Sequence, residues 1–153
     1  MLPMKTFTTT LEPRPRGGVV VRLPFSPGDA WRDRDRWYVR GTIGGFGVRG
    51  DVEDVDGTAC LTLGPSWCRD PSVAAGRTVE VRLEPEGPQL ETVPDELRLA
   101  LEADPVSRRA FESLATFYRK GFVDPIASAK GTGTRERRTA QVIEALRAGR
   151  REY

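Results

Sequence analysis

The sequence predicts an α+β protein, with a small closed antiparallel β-barrel of about six strands over residues 1–92 and three to four helices over residues 93–153. Two observations carry this prediction. In the first part, short runs of alternating apolar and polar residues are separated by glycine- and proline-containing turns, with no helical pattern between them. From Val93 onward, apolar residues recur at intervals of three and four, which is typical of helices.

Six segments predict the strands. The clearest is RTVEVRLE, in which Val79, Val81 and Leu83 alternate with polar residues, and the others are TFTTTLE, GVVVRLP, WYVRGTI, FGVRGDV and ACLTL. Many short strands without intervening helices favour antiparallel pairing, and closure into a barrel would remove exposed edges. The charged segment SPGDAWRDRDR interrupts the pattern and is expected to be an exposed loop or a short helical turn.

The second part predicts up to four helices. DELRLALEA follows Pro94, and Asp104–Pro105 supplies a cap and a first-turn proline for a second helix that we expect to end at Gly121. FVDPIASAK predicts a third helix, and TRERRTAQVIEALRAG a fourth that closes at Gly149. The second helix is expected to pack through an apolar stripe formed by Val106, Ala110, Phe111, Leu114, Phe117 and Tyr118.

The composition excludes some kinds of catalysis. The chain has no histidine, which excludes serine–histidine and cysteine–histidine mechanisms. Cys60 and Cys68 match no zinc pattern and are expected to be reduced thiols. Of the 24 basic residues only Lys5, Lys120 and Lys130 are lysines, and arginine binds carboxylates and phosphates better than it moves protons. No catalytic residue, metal or cofactor is therefore predicted.

The N-terminus and the charge distribution bear on location and partners. No charged stretch followed by a long apolar segment opens the chain, so we expect a cytoplasmic protein that does not bind a membrane. From Arg119 to the end there are nine basic and four acidic residues, a surplus of five. Because a surplus of five is modest, nucleic acid is a lesser option than a small anion or an acidic protein surface.

Two motifs resemble binding loops but are better explained as turns. GFGVRG satisfies the G-x-G-x-x-G pattern, yet no helix is expected after it, and Gly44–Gly45 fits a two-residue hairpin turn. DVEDVDG also resembles a calcium loop, but with Gly57 at the sixth position the first and twelfth positions are Val52 and Leu63, which have no carboxylate, so we expect a solvated acidic loop.

The segment AKGTGTRERR is the candidate site. Lys130, Thr134, Arg135 and Arg138 lie at the start of the last helix, where cations oppose the helix dipole and therefore call for anionic partners. Two explanations stay open: a phosphate or carboxylate ligand, or internal carboxylates such as Glu84, Glu91 or Asp51, which is the commoner arrangement.

The two halves also resemble known families. LPF at Leu23–Phe25, VRGTIGG at Val39–Gly45 and GRTVEVRLE at Gly76–Glu84 resemble the bacterial small-barrel family called domain of unknown function 1905. The second half is similar to the bacteriocin-protection family, also called YdeI or OmpD-associated, through VPDELRLAL, F-x-x-L at Phe111–Leu114 and AK-x3-TR-x2-R at Ala129–Arg138. The resemblance implies a small closed barrel followed by a helical segment, and no established activity or ligand.

The chain departs from the family pattern at three places. Pro125 stands where members usually have tryptophan, Tyr118 where they have histidine, and Arg77 where they have aspartate.

The leading interpretation is a non-enzymatic binding or interaction module that presents Lys130, Thr134, Arg135 and Arg138 to an anion. The alternatives are an enzyme that works through carboxylates and arginines without histidine, and a structural partner-binding protein whose arginines clamp the tail to the barrel.

Overall fold

The structure is a computed structural model and describes residues 3–153. These residues form two compact units, which are described separately. A β unit comprises residues 3–33 and Trp37–Pro85, and a helical unit comprises Arg34–Arg36 and Glu86–Tyr153. The predicted α+β class is confirmed, and the predicted domain boundary after residue 92 stays a prediction.

The β unit contains eight strands in two antiparallel sheets, ordered β1-β8-β4-β5 and β2-β3-β7-β6. All six predicted segments form strands. The two additional strands, β2 and β6, follow β1 and β5 after one residue each, Leu11 and Val52, and pair in the second sheet. The pairing among residues 3–153 shows two sheets, and their closure into a barrel stays a prediction. The strands are β1 Lys5–Thr10, β2 Glu12–Pro13, β3 Val19–Arg22, β4 Tyr38–Ile43, β5 Phe46–Asp51, β6 Glu53–Val55, β7 Thr58–Leu63 and β8 Thr78–Pro85.

Alternation along the strands places one face of each sheet in a common core. Val79, Val81 and Leu83 of β8 are buried, as the sequence predicts, beside apolar residues from the other sheet. The segment SPGDAWRDRDR forms a short helix, α1 (Pro27–Trp31), which agrees with the helical-turn alternative, and the exposed-loop alternative was wrong because Trp31 and Arg34 are buried. The indole N–H donates to the Pro3 carbonyl at 2.8 Å, and Phe25 packs edge-on against the ring. The ring can therefore be buried without leaving its polar group unpaired.

Both motifs that resembled binding loops are hairpins. Gly44 and Gly45 have φ angles of 56° and 86°, and Ile43 pairs with Phe46 across them. Positive φ at both central positions is the geometry of a type I′ hairpin, which confirms the predicted turn. DVEDVDG is not a simple loop: it contributes β6, and positive φ angles at Asp56 and Gly57 turn the chain into β7.

The helical unit contains α2 (Asp95–Ala103), α3 (Pro105–Glu112), α4 (Thr116–Ser128) and α5 (Thr132–Arg147). The second predicted helix was wrong in extent. It breaks after Glu112, and α4 runs through Gly121 and includes Pro125. The break is stable because side chains satisfy its carbonyls: Ser113 Oγ donates to Arg109 O at 2.7 Å and Arg119 Nε donates to Leu114 O at 3.0 Å.

The break changes which residues face the core. Phe111 is buried with Leu97, Leu101 and Phe122, whereas the predicted stripe members Val106 and Phe117 are 62% and 75% exposed. No helix within residues 3–153 is long and apolar enough to cross a membrane.

The last helix ends as predicted, at a glycine. Gly149 has φ 74°, the Arg150 amide donates to Ala145 O at 2.8 Å, and the Gly149 amide donates to Leu146 O at 3.1 Å. These two bonds form a Schellman motif, in which a left-handed residue reverses the chain direction after the helix. The reversal brings Tyr153 back against Phe122 of α4, with ring centroids 5.5 Å apart.

Candidate functional site

Arg135, in the first part of α5, joins three helices of its unit. Its Nε and Nη2 donate to the two carboxylate oxygens of Glu96 on α2 at 2.9 and 3.0 Å. Its Nη1 donates to the carbonyls of Ile126 and Ala129 at 3.0 and 3.2 Å, where the last carbonyls of α4 need donors. A bidentate guanidinium–carboxylate pair of this kind is both strong and geometrically specific.

The pair with Glu96 changes the interpretation of Arg135. Hydrogen bonding from Arg135, followed by a backbone hydrogen bond, holds the pKa of Glu96 below its ordinary value. The internal partner is a carboxylate on α2, not the suggested Glu84, Glu91 or Asp51, and Glu84 instead pairs with Arg40 at 3.1 Å. Arg135 therefore holds helices together within the helical unit.

Arg138 lies nearly one turn further along α5 and has different surroundings. Its Nη1 donates to the Pro125 carbonyl at 2.6 Å. Among residues 3–153 no carboxylate lies within 4 Å of its guanidinium nitrogens. Arg138 is half-buried and lines a cleft of about 830 Å³ formed by α4, α5 and the segment after Gly149.

The cleft combines opposite charges with neutral polar groups. Arg138 and Arg150 supply positive charge, Asp124 and Glu144 negative charge, and Ser128, Gln141 and Tyr153 hydrogen-bonding groups. The Tyr153 hydroxyl donates to the Phe122 carbonyl at 3.0 Å. Burial raises the pKa of Tyr153, and the nearby positive charge of Arg138 acts in the opposite direction.

The other two predicted site residues lie outside this lining. Lys130 is exposed before α5, and Thr134 is half-buried in its first turn. Of the four candidates, the structure thus places Arg138 in the cleft and pairs Arg135 with Glu96. The sequence interpretation did not include Arg150 or Tyr153 in the site. Gly149 was the available signal, because the turn there folds the following residues over α5.

A buried arginine cluster lies elsewhere in the helical unit, and no sequence pattern indicated it. Arg34 donates through Nη2 to Glu112 Oε2 at 2.8 Å and through Nη1 to the Glu112 carbonyl at 3.1 Å. Arg119 donates to the carbonyls of Leu114, Pro88 and Glu112. Burial, and then the positive charge of Arg34, lower the pKa of Arg119 to about 10. Arginine seldom transfers protons, and the bonds from Arg119 hold three backbone carbonyls of the helical unit together.

Two family models match adjacent parts of the chain. Residues 7–83, half of its length, match the model described as Domain of unknown function (DUF1905). The chain belongs to the DUF1905 family. Residues 92–149 of this DUF1905 protein match the model described as Bacteriocin-protection, YdeI or OmpD-Associated. The predicted combination of the two families is confirmed. A search of curated proteins gives no match.

The structure gives the surroundings of Pro125 and Tyr118, two residues expected to depart from the pattern of the bacteriocin-protection family. Pro125 lies inside α4, where its missing amide cannot donate to the Gly121 carbonyl, and its own carbonyl accepts the bond from Arg138. Tyr118 packs edge-on against Phe117, and the guanidinium of Arg151 lies 4.9 Å from the centre of its ring. The Tyr118 contacts involve its aromatic ring, whereas the bond from Arg138 to the Pro125 backbone carbonyl is one that any residue at this position could accept.

Proposed function

We propose that this protein is a non-enzymatic binding module, and that Arg138 receives the carboxylate or phosphate group of a small ligand in the cleft between α4 and α5. One observation carries the proposal. Arg138 is half-buried beside a cleft and, within the described part of the chain, no carboxylate pairs with it. A partly desolvated guanidinium without an internal anion favours a ligand that supplies one.

The remaining lining supports a polar ligand of metabolite size. About 830 Å³ lies within the usual range for small-molecule sites, roughly 300–1,000 Å³. Arg150 adds a second positive group, and Ser128, Gln141 and Tyr153 can hydrogen-bond to the rest of the molecule. Asp124 and Glu144 would disfavour a ligand with many negative charges, so a single phosphate or carboxylate on a polar body fits best.

Three of the four residues suggested by the sequence are not expected to contact the ligand. Arg135 is omitted because Glu96 and the carbonyls at the end of α4 use its guanidinium. Lys130 and Thr134 are omitted because they do not line the cleft. Of the four residues suggested by the sequence, only Arg138 stays in the proposal.

A thermal-shift screen tests the proposal. Inorganic phosphate, glucose 6-phosphate, adenosine monophosphate and citrate are compared with glucose and adenosine, which lack the anionic group. A ligand that binds only the folded state raises the melting temperature with its concentration. We expect at least one anion to stabilise the wild type more than its neutral counterpart does.

Two variants locate the effect. Arg138→Ala should abolish the anion-dependent stabilisation. Arg137→Ala is the matched control, because it removes the same charge from an adjacent, exposed position outside the cleft, and should retain the response. No anion response in the wild type, or an unchanged response in Arg138→Ala, would contradict the proposal.

A further inference from the structure

The β unit contains a second concave site, a groove of about 550 Å³ beside the β6–β7 hairpin. Its lining surface is somewhat more polar than apolar, and the apolar part includes Phe25, Trp37, Val52 and two prolines. Its only charged lining residues are Glu53 and Asp54, so every formal charge in the groove is negative. The groove thus differs from the α4–α5 cleft, where charges of both signs occur.

The hairpin fixes the carboxylates. Asp54 Oδ1 accepts the Gly57 amide at 2.9 Å across the type I′ turn. Glu53 pairs with Cys60 in the β6–β7 ladder and accepts a long bond of 3.4 Å from Thr62 Oγ1. Within residues 3–153 neither side chain forms an ion pair. The lining of the groove therefore includes two carboxylates that have no ion-pair partner within residues 3–153.

The aromatic walls are fixed as well. The Trp37 indole N–H donates to the Arg32 carbonyl at 3.0 Å, which sets the orientation of the ring. Phe25 is held edge-on by Phe7 and Trp31, at centroid distances of 5.9 and 5.1 Å. The ammonium of Lys5, which is not part of the lining, lies 5.8 Å from the centre of the Phe25 ring. Phe25 therefore already has an internal cation beside it, which leaves Trp37 as the aromatic residue of the groove for a ligand cation.

We propose that this groove binds a small organic cation, an ammonium or guanidinium group carried on an apolar body. Aromatic faces attract cations through their quadrupole, and carboxylates at the edge of a partly desolvated groove add charge complementarity. The aromatic and aliphatic side chains in the lining would contact the apolar body of such a ligand, which adds affinity that a bare metal cation could not obtain. This inference is independent of the α4–α5 cleft.

Nuclear magnetic resonance of the full chain provides the test, with benzylamine and agmatine as probes and benzyl alcohol as the neutral counterpart of benzylamine. The indole N–H signals of Trp37, Trp31 and Trp67 are followed during titration. Trp67 is the internal reference, because its indole donates to Gly47 O and does not line the groove. We expect the Trp37 signal to shift with saturation for the amines, and the Trp67 signal to stay in place.

Variants test the carboxylates without disturbing the turn. Asparagine at position 54 keeps an oxygen that can accept the Gly57 amide, so the pair Glu53→Gln and Asp54→Asn removes charge and preserves shape. It should weaken amine binding at least about tenfold. Asp56→Asn removes one charge from the same hairpin outside the groove, and should change binding less than about twofold.

Three results would overturn the proposal: no saturable Trp37 shift with either amine, equal binding of benzyl alcohol and benzylamine, or unchanged amine binding in the doubly substituted protein.

Discussion

Arg135 and Arg138 lie three residues apart on α5, within one short sequence signature, yet their surroundings differ. Arg135 is held by the Glu96 carboxylate and by carbonyls at the end of α4. Arg138 donates to one carbonyl and faces a cleft, with no carboxylate partner in residues 3–153. The difference teaches that the partner, more than the residue type, decides whether an arginine holds a fold together or is available to a ligand.

The buried cluster around Glu112 extends the comparison. Arg34 and Arg119 are almost fully buried, and backbone carbonyls accept most of the hydrogen bonds described for them. Arg135 is partly exposed, and Arg138 lies at a cleft. From the buried pair Arg34 and Arg119, through Arg135, to Arg138, we expect substitution to reduce the free energy of unfolding by progressively smaller amounts.

The largest effect is expected for Glu112→Ala. This change leaves Arg34 buried without the carboxylate that it contacts at 2.8 Å, and breaking a buried ion pair typically costs about 3–5 kcal/mol. Denaturant unfolding of the variant and the wild type measures the difference. Glu136→Ala, at an exposed position on α5, is the control. A difference in unfolding free energy below about 1 kcal/mol, as is typical of surface ion pairs, would show that the buried Arg34–Glu112 pair contributes less than we expect.

A smaller loss is expected for Arg135→Ala. The substitution leaves Glu96 and carbonyls at the end of α4 without their donor, so the melting temperature should fall by several degrees. Arg137→Ala, with an exposed side chain, should melt close to the wild type. Equal melting temperatures for the two variants would show that the Glu96 pair does not hold the helices together.

The Glu96 pair should also appear in the pH dependence of stability. The pKa of Glu96 is lowered in the folded state, so the unfolded chain binds the proton more tightly. Its stabilising contribution is complete above the ordinary value of 4.5 and is lost as the pH falls through the lower folded value. Glu96→Gln should therefore be less stable than the wild type at neutral pH, and the two melting temperatures should converge in acid. Parallel curves from neutral pH into acid would contradict this account.

The smallest effect is expected at the edge of the cleft, for Tyr153→Phe. The variant keeps the ring contact with Phe122 and loses the hydroxyl bond to the Phe122 carbonyl. Because this side chain is 47% exposed, water can replace the lost donor, and the loss should be at or below about 1 kcal/mol in denaturant unfolding. A larger loss would mean that the segment after Gly149 is part of the folding core.

Local patterns predicted much of the fold. Alternation along β8 located its buried face, paired glycines located the β4–β5 hairpin, and Asp104–Pro105 located the start of α3. The extent of α3 was mispredicted because the break after Glu112 depends on donors from Arg119, and no local rule places an arginine against those carbonyls.

The site was less predictable than the fold. The signature located α5 and its arginines, but the choice between ligand and internal partner depends on Glu96, 39 residues away. Arg34 and Glu112 are separated by 78 residues, so sequence spacing gave no sign of their pairing. Long-range pairing of polar side chains is decided by packing, which the apolar pattern predicts only coarsely.

One pair of melting experiments tests most directly whether Arg135 stabilises the fold and Arg138 binds the anion. Arg135→Ala and Arg138→Ala are melted with and without the anion that stabilises the wild type. The account predicts that Arg135→Ala has a lower melting temperature but keeps the anion-dependent increase, whereas Arg138→Ala melts near the wild type and loses that increase. The opposite pattern, or a loss of both properties in both variants, would contradict it.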